Sequence, residues 1–241
     1  MEGAPLIKMI CNIGFMKGMV TKEKNQASRL EPRWPVLLAI LLVVGLLALM
    51  PGRIRLFPFW FPYVIGIIVI VPIAAVGLMA ARALWISVER TVTILFCVVM
   101  GMITLANLTN LINAMVYKSA EISGIQLLTS SISVWVANVL MFSLLYWQID
   151  RGGPESRVNN AETRPDWLFP QEGAPTESVP PDWSPVFVDY LFLSYSTATA
   201  FSTTDVMPLT SRAKMLMMLE STISLMTIVV VASRAINILG N

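Results

Sequence analysis

The sequence predicts an all-α polytopic membrane protein, with about five transmembrane helices plus a re-entrant helix and loop near the C-terminus. Three observations carry this. Hydrophobic residues make up 56% of the 241-residue chain, charged residues 13%, and the mean hydropathy is +0.69, whereas a soluble domain holds about 25% charged residues. Five apolar runs, 34–50, 57–80, 91–116, 125–146 and 215–238, are long enough at ~1.5 Å per residue to cross a hydrocarbon core of about 30 Å. A sixth segment, 186–204, is shorter, carries Asp189 near its start and is dense in Ser and Thr between Ser194 and Thr204. Backbone that leaves a helix at membrane depth must be buried in protein or line a wet cavity, so this segment reads as re-entrant, with a sixth span as the alternative.

Residues 1–33 hold six basic residues (Lys8, Lys17, Lys22, Lys24, Arg29, Arg33) against three acids (Glu2, Glu23, Glu31). They lack the uninterrupted apolar core and small-residue cleavage site of a signal peptide. Leu6, Ile7, Met9, Ile10, Ile13, Met16 and Val20 recur at three- and four-residue steps. That spacing fits an interfacial amphipathic helix, and the charge fits equally a basic tail at anionic headgroups.

Residues 34–120 form a three-helix membrane region. Its third run carries Thr104, Asn107, Asn110 and Asn113 at three-residue steps, a polar stripe that winds slowly around a helix and is expected to face protein rather than lipid. Glu89 and Arg90 precede it as an interface anchor. Residues 121–241 form the second region, opened by the fourth run and interrupted by a polar linker, 151–185. The linker holds seven prolines and six acids against three arginines. Trp167, Leu168, Phe169 and Trp183 are expected to lie along the membrane interface, where amphipathic rings prefer to sit.

Function classes are narrowed by what is missing. The chain has no histidine, and its two cysteines, Cys11 and Cys97, stand in unrelated segments. Zinc sites, His-based general bases and Cys-His pairs are therefore absent within one chain. With no phosphate-cradling glycine loop either, no catalytic residue, cofactor, bound metal or nucleic-acid partner is expected, and the chain is not expected to be an enzyme.

The stretch Thr199-Ala200-Phe201-Ser202-Thr203-Thr204-Asp205 and Pro208 resembles the filter pattern T-T-V-G-Y-G-D-x-x-P of potassium-channel-like proteins. Thr199, Asp205 and Pro208 keep register, while Ser202 and Thr204 occupy the two glycine places. The order from about 125 to 239, long helix, polar linker, short helix, Ser/Thr loop, long helix, is similar to their two-helix pore module. The run Arg212-Ala213-Lys214-Met215-Leu216 and Leu219-Glu220 is similar to the opening of the inner helix. The whole chain also resembles uncharacterised bacterial integral membrane proteins that share the Asp150-Arg151-Gly152-Gly153-Pro154 segment. The resemblance implies a homo-oligomer, a tetramer, in a bacterial inner membrane.

A potassium filter needs backbone carbonyls aimed at the axis through alternating left-handed residues, which glycine allows. Ser202 and Thr204 are strained in that conformation, and Phe201 is bulky, so strong potassium selectivity is not expected. A wider ion pathway remains, with the hydroxyls of Thr199, Ser202, Thr203 and Thr204 and a ring of Asp205 carboxylates meeting a hydrated monovalent cation. Against it stands a plain structural role, hydroxyls bonded to nearby carbonyls and Asp205 capping the following turn. Asp189, Pro208, Glu220 and Ser224 are expected as pore support: Asp189 has the sign that a helix N-terminus prefers. Glu220, an acid at membrane depth, is a site hypothesis in itself: it is expected either to hydrogen-bond behind the loop or bind an ion, or to hold a structural place paired with Arg212, Lys214 or loop amides at the interface. Ser224 stands where such modules often carry a hinge glycine.

The expected function is a weakly selective cation channel surrounded by membrane lipids, with a non-conducting scaffold or partner subunit as the rival. Orientation stays open. The positive-inside rule places Arg33, Arg90, Arg151, Arg157 and Arg212 in the cytoplasm, which puts the filter mouth opposite to that of a potassium channel unless 186–204 spans.

Overall fold

The structure, a computed structural model, describes residues 31–49, 58, 60–78, 83–117, 124–158, 163–175, 177–180, 183–199 and 206–239. The helices are α1 (Trp34–Ala48), α2 (Phe61–Leu78), α3 (Ala83–Tyr117), α4 (Gly124–Ile149), α5 (Pro154–Val158), α6 (Phe187–Thr199) and α7 (Ser211–Leu239). Three segments are long and apolar enough to cross a membrane: Ser87–Asn113 in α3, Ile125–Gly152 running from α4, and Ser211–Ser233 in α7. Trp34–Ala48 and Phe61–Val76 are shorter apolar helices. The protein is therefore a helical membrane protein.

α4 is the central post. It packs against α1, α3, α6 and α7, and its stretch from Ala137 to Trp147 is buried almost all round, as expected of a helix without a polar face. α7 is the opposite case: only a third of its apolar window is buried, and Met215, Met218, Leu225, Met226 and Val229 are exposed. In a membrane such a face meets lipid or another helix. α1 and α2 approach closely at Gly66, where an added Cβ would stand 3.0 Å from a Val44 methyl, the small-residue contact that packs helices without a hydrophobic drive. The buried ion pair Arg33–Glu89, at 2.9 Å, ties the start of α1 to α3.

The polar stripe of α3 is only half directed inward. Thr104 and Asn107 are buried, Asn110 is half-buried and Asn113 is exposed. A three-residue step rotates each position about 60° short of a full turn on a 3.6-residue helix, so the three steps from Thr104 to Asn113 carry it from the protein face to the outside.

The linker is a folded cap, and two of its aromatic residues are not at an interface. Trp167 and Phe169 are buried. Trp167 meets Tyr146 at 4.7 Å with the rings tilted, while Phe169 meets Tyr190 at 5.4 Å and Trp183 at 6.0 Å. Strand β1 (Trp167–Leu168) pairs antiparallel with β2 (Met207–Pro208), Trp167 opposite Pro208. The Leu209 amide donates to the Asp166 carbonyl at 2.8 Å. This short ladder fixes where the chain re-emerges ahead of α7.

The Asp150–Pro154 segment turns the end of α4 back on itself. Arg151, Gly152 and Gly153 all have positive φ, at 52°, 79° and 102°, after which Pro154 opens α5 with its φ pre-set. Gly153, at ψ 175°, lies in a region open essentially to glycine alone. A Cβ there would also stand 3.2 Å from the Gln148 carbonyl oxygen. Gly153→Ala is expected to cost about 1–3 kcal/mol, measured as a lowered unfolding midpoint of the detergent-solubilised protein.

Candidate functional site

α6 is held at both ends. At its N-terminus the Asp189 carboxylate accepts from the Val186 amide at 2.8 Å, and Glu31 accepts from the Phe187 amide at 2.6 Å. Two carboxylates on free amides is the arrangement that the helix dipole favours. Burial raises the Asp189 carboxyl above its ordinary range, opposed by the Val186 amide. One turn in, the Tyr190 hydroxyl donates to Asp150 Oδ2 at 2.6 Å. Burial pushes that phenol well above its usual range and the adjoining Asp150 carboxylate adds to this, against the nearby Arg157. Tyr190 thus stays a donor.

Deeper, α6 meets a closed set of polar groups. Glu220 of α7 is fully buried. Its Oε2 accepts from Tyr146 at 2.5 Å and its Oε1 is bonded to the Ser194 hydroxyl. Ser194 Oγ also reaches the Val139 carbonyl at 2.7 Å. One turn on, Asn138 donates to the Ser224 hydroxyl at 2.9 Å. Ser221 donates to the Thr197 carbonyl at 3.3 Å.

These contacts fix depths. Ile149 of α4 lies beside Arg212, Tyr146 beside Glu220 and Asn138 beside Ser224, so α4 and α7 are antiparallel. α6 starts at the polar end, near Glu31 and Asp150, and its Thr197 stands beside Ser221. Ten residues into α7 is roughly 15 Å at 1.5 Å rise, about half of a hydrocarbon core. The next described residues, Val206 to Pro208, are back at the polar end against Trp167 and Leu168.

No family model, curated protein or solved structure matches the chain.

Of the residues expected in an ion pathway, Ala200, Phe201, Ser202, Thr203, Thr204 and Asp205 lie outside the described residues. Thr199 ends α6, and its hydroxyl donates to the Tyr195 and Ser196 carbonyls at 2.9 and 3.2 Å, the local role weighed against ion contact. Asp189 caps α6, Pro208 pairs across the ladder, and Glu220 and Ser224 join α7 to α4 and α6. Of the partners weighed for Glu220, Arg212 is corrected: it clamps Asp166 through both Nε and Nη2, because it sits two turns closer to the polar end. Among the described residues no cluster of acids, His or Cys has the makings of a metal site.

Sequence reasoning missed Tyr146, Ser194, Asp150 and Asp166. A signal existed for the first two, since a carboxyl inside an apolar run demands donors and both residues interrupt apolar runs. Asp150 and Asp166 lie 16 residues apart and are joined through the Asp166 amide, which donates to Asp150 Oδ1 at 2.8 Å. No short-range pattern reveals such a bond.

Proposed function

We propose that the chain is a non-enzymatic pore-loop membrane protein whose homo-oligomer, a tetramer by resemblance, passes monovalent cations with weak selectivity across a bacterial inner membrane. The observation that supports it is the placement of α6. A 13-residue helix starts at the polar end, its carbonyl end stands at about half depth beside Ser221, and the chain is back at the polar end by Val206. This placement supports the reading of a re-entrant helix and loop. Its C-terminal partial negative charge favours a cation near mid-membrane, and Asp205, repeated around an axis, supplies the ring that selects for charge sign.

In proteoliposomes, cation flux is expected above empty vesicles, with little preference between sodium and potassium. Asp205→Asn is expected to reduce the preference for cations over anions. Wild-type protein that carries no more ions than empty vesicles at any imposed voltage sinks the reading.

A second reading, a non-conducting scaffold or partner subunit, draws on the closed bonding of α6. The described hydroxyls of Ser194, Thr197 and Thr199 all bond to carbonyls or to Glu220. In that case Asp205→Asn leaves both assembly and vesicle permeability unchanged.

A further inference from the structure

The chain enters α1 through two ionic anchors. Arg33 holds Glu89, and two residues earlier Glu31, with its side chain 8% exposed, reaches into the polar cap. Its two oxygens share the Trp147 indole N–H at 2.9 Å each, and Oε1 also accepts from the Phe187 amide at 2.6 Å. Trp147 and Phe187 lie 116 and 156 residues further along the chain, one on α4 and the other opening α6. The stem of α1 therefore holds the start of the re-entrant helix candidate.

A cation stands beside the same carboxylate without a bond to it. Arg157 Nη2 is 3.6 Å from Glu31 Oε2, beyond hydrogen-bond reach. It has no hydrogen-bond partner, although the Arg157 side chain is 1% exposed. Nη1 is engaged, donating to the Trp147 and Asp150 carbonyls, and the guanidinium carbon lies 6.0 Å from the Trp147 ring and 5.0 Å from the Tyr190 ring. The guanidinium is thus fixed on α4 and α6 with one amino group unused. A buried donor without a partner costs free energy. An advance of Glu31 by under about 1 Å closes this gap to the ~2.8 Å of a charge-assisted bond.

We propose that Glu31 is a latch on α6 with two alternative holds. In the first, present in the structure, Oε1 pins the Phe187 amide and Arg157 Nη2 is left over. In the second, Oε2 closes on Arg157 and Oε1 leaves the Phe187 amide, so the first turn of α6 keeps the Asp189 cap on Val186 alone. Each hold leaves one buried donor unpaired, which brings the two close in free energy, and closeness is what a two-state element requires. The latch stands on these contacts. Its control of ion passage rests on the pore reading, in which α6 aims its carbonyl end at the pathway.

The test is hydrogen exchange at the start of α6 in the detergent-purified full-length protein, alongside cation flux in proteoliposomes. Glu31→Ala removes both holds and is expected to speed exchange at Phe187 roughly tenfold, the loss of one capping bond. Arg157→Lys keeps a charged donor for the two carbonyls but has no fork to offer Glu31 as well. It is expected to slow that exchange severalfold and to shift flux in the direction opposite to Glu31→Ala. A Glu31 that only braces the cap predicts instead that Arg157→Lys exchanges as fast as wild type or faster. That result overturns the latch, as does unchanged exchange in Glu31→Ala. If Glu31→Ala does not fold, Arg157→Lys decides alone. Both exchange shifts in a protein that carries no ions in any variant support the latch and overturn the pore reading. Flux unchanged by both substitutions in a conducting protein overturns control of ion passage by the latch.

Discussion

Asp150→Ala is expected to lower stability by on the order of 3 kcal/mol, since two buried donors lose their acceptor at once. The side chain is fully buried, and its two oxygens accept from the Asp166 amide and the Tyr190 hydroxyl. Those bonds join three otherwise separate pieces: the end of α4, the linker strand and the first turn of α6. The damage spreads from there. Asp166 in turn receives Arg212 and Thr210, so the start of α7 is anchored through the same residue. Arg157 completes the unit from the other side. It donates to the Trp147 and Asp150 carbonyls at 2.8 and 3.0 Å and lies 5.0 Å from the Tyr190 ring. For a chain of this length the midpoint is expected to fall by roughly 6–12 °C, followed by near-ultraviolet circular dichroism of the buried Trp147 and Trp167. Tyr190→Phe removes one bond and leaves the Asp166 amide satisfied, so its cost is expected near 1 kcal/mol. Equal losses in the two variants would show that Asp150 does not act as a shared acceptor.

That hub marks the boundary of what the sequence discloses. Membrane class, the apolar runs and the short helix from 187 were legible because hydropathy and length are local properties of the chain. So was the sign of Asp189, which follows from its position in a first turn. The Asp150–Pro154 segment stood out only as part of a resemblance, and nothing local in it says that Asp150 faces Asp166 and Tyr190. Those partners lie 16 and 40 residues away, and polar residues at such separations carry no periodic signal. Trp167 misled for a related reason. An indole in a Pro-rich polar segment has the composition of an interface anchor, and only the ladder to Pro208 turns it inward against Tyr146. Arg212 was misassigned because nearness in sequence to Glu220 stood in for nearness in space, whereas an arginine in the first turn of α7 points to the polar cap.

Glu220 is where hydrogen counting yields the sharpest contrast between two substitutions. Three contacts surround it: Tyr146 to Oε2, Ser194 to Oε1, and Ser194 to the Val139 carbonyl. Each contact needs one hydrogen, and the two hydroxyls bring two. A third hydrogen on the Glu220 side chain lets every contact be made in one direction: Tyr146 donates to Glu220, Glu220 to Ser194, and Ser194 to Val139. Glutamine has the same shape and carries that hydrogen permanently. Glu220→Gln is therefore expected to keep the unfolding free energy within about 1 kcal/mol of wild type, its amide donating to Ser194 and its oxygen accepting from Tyr146. Glu220→Ala removes both partners, leaves the buried Tyr146 hydroxyl unpaired and opens a cavity, for an expected loss of about 2–4 kcal/mol. The comparison also separates support from ion binding. A carboxyl that only joins α4, α6 and α7 is replaceable by its amide in both stability and vesicle flux, whereas one that contacts a cation is not. Loss of flux in a Glu220→Gln protein of unchanged stability would move this residue from the scaffold into the pathway.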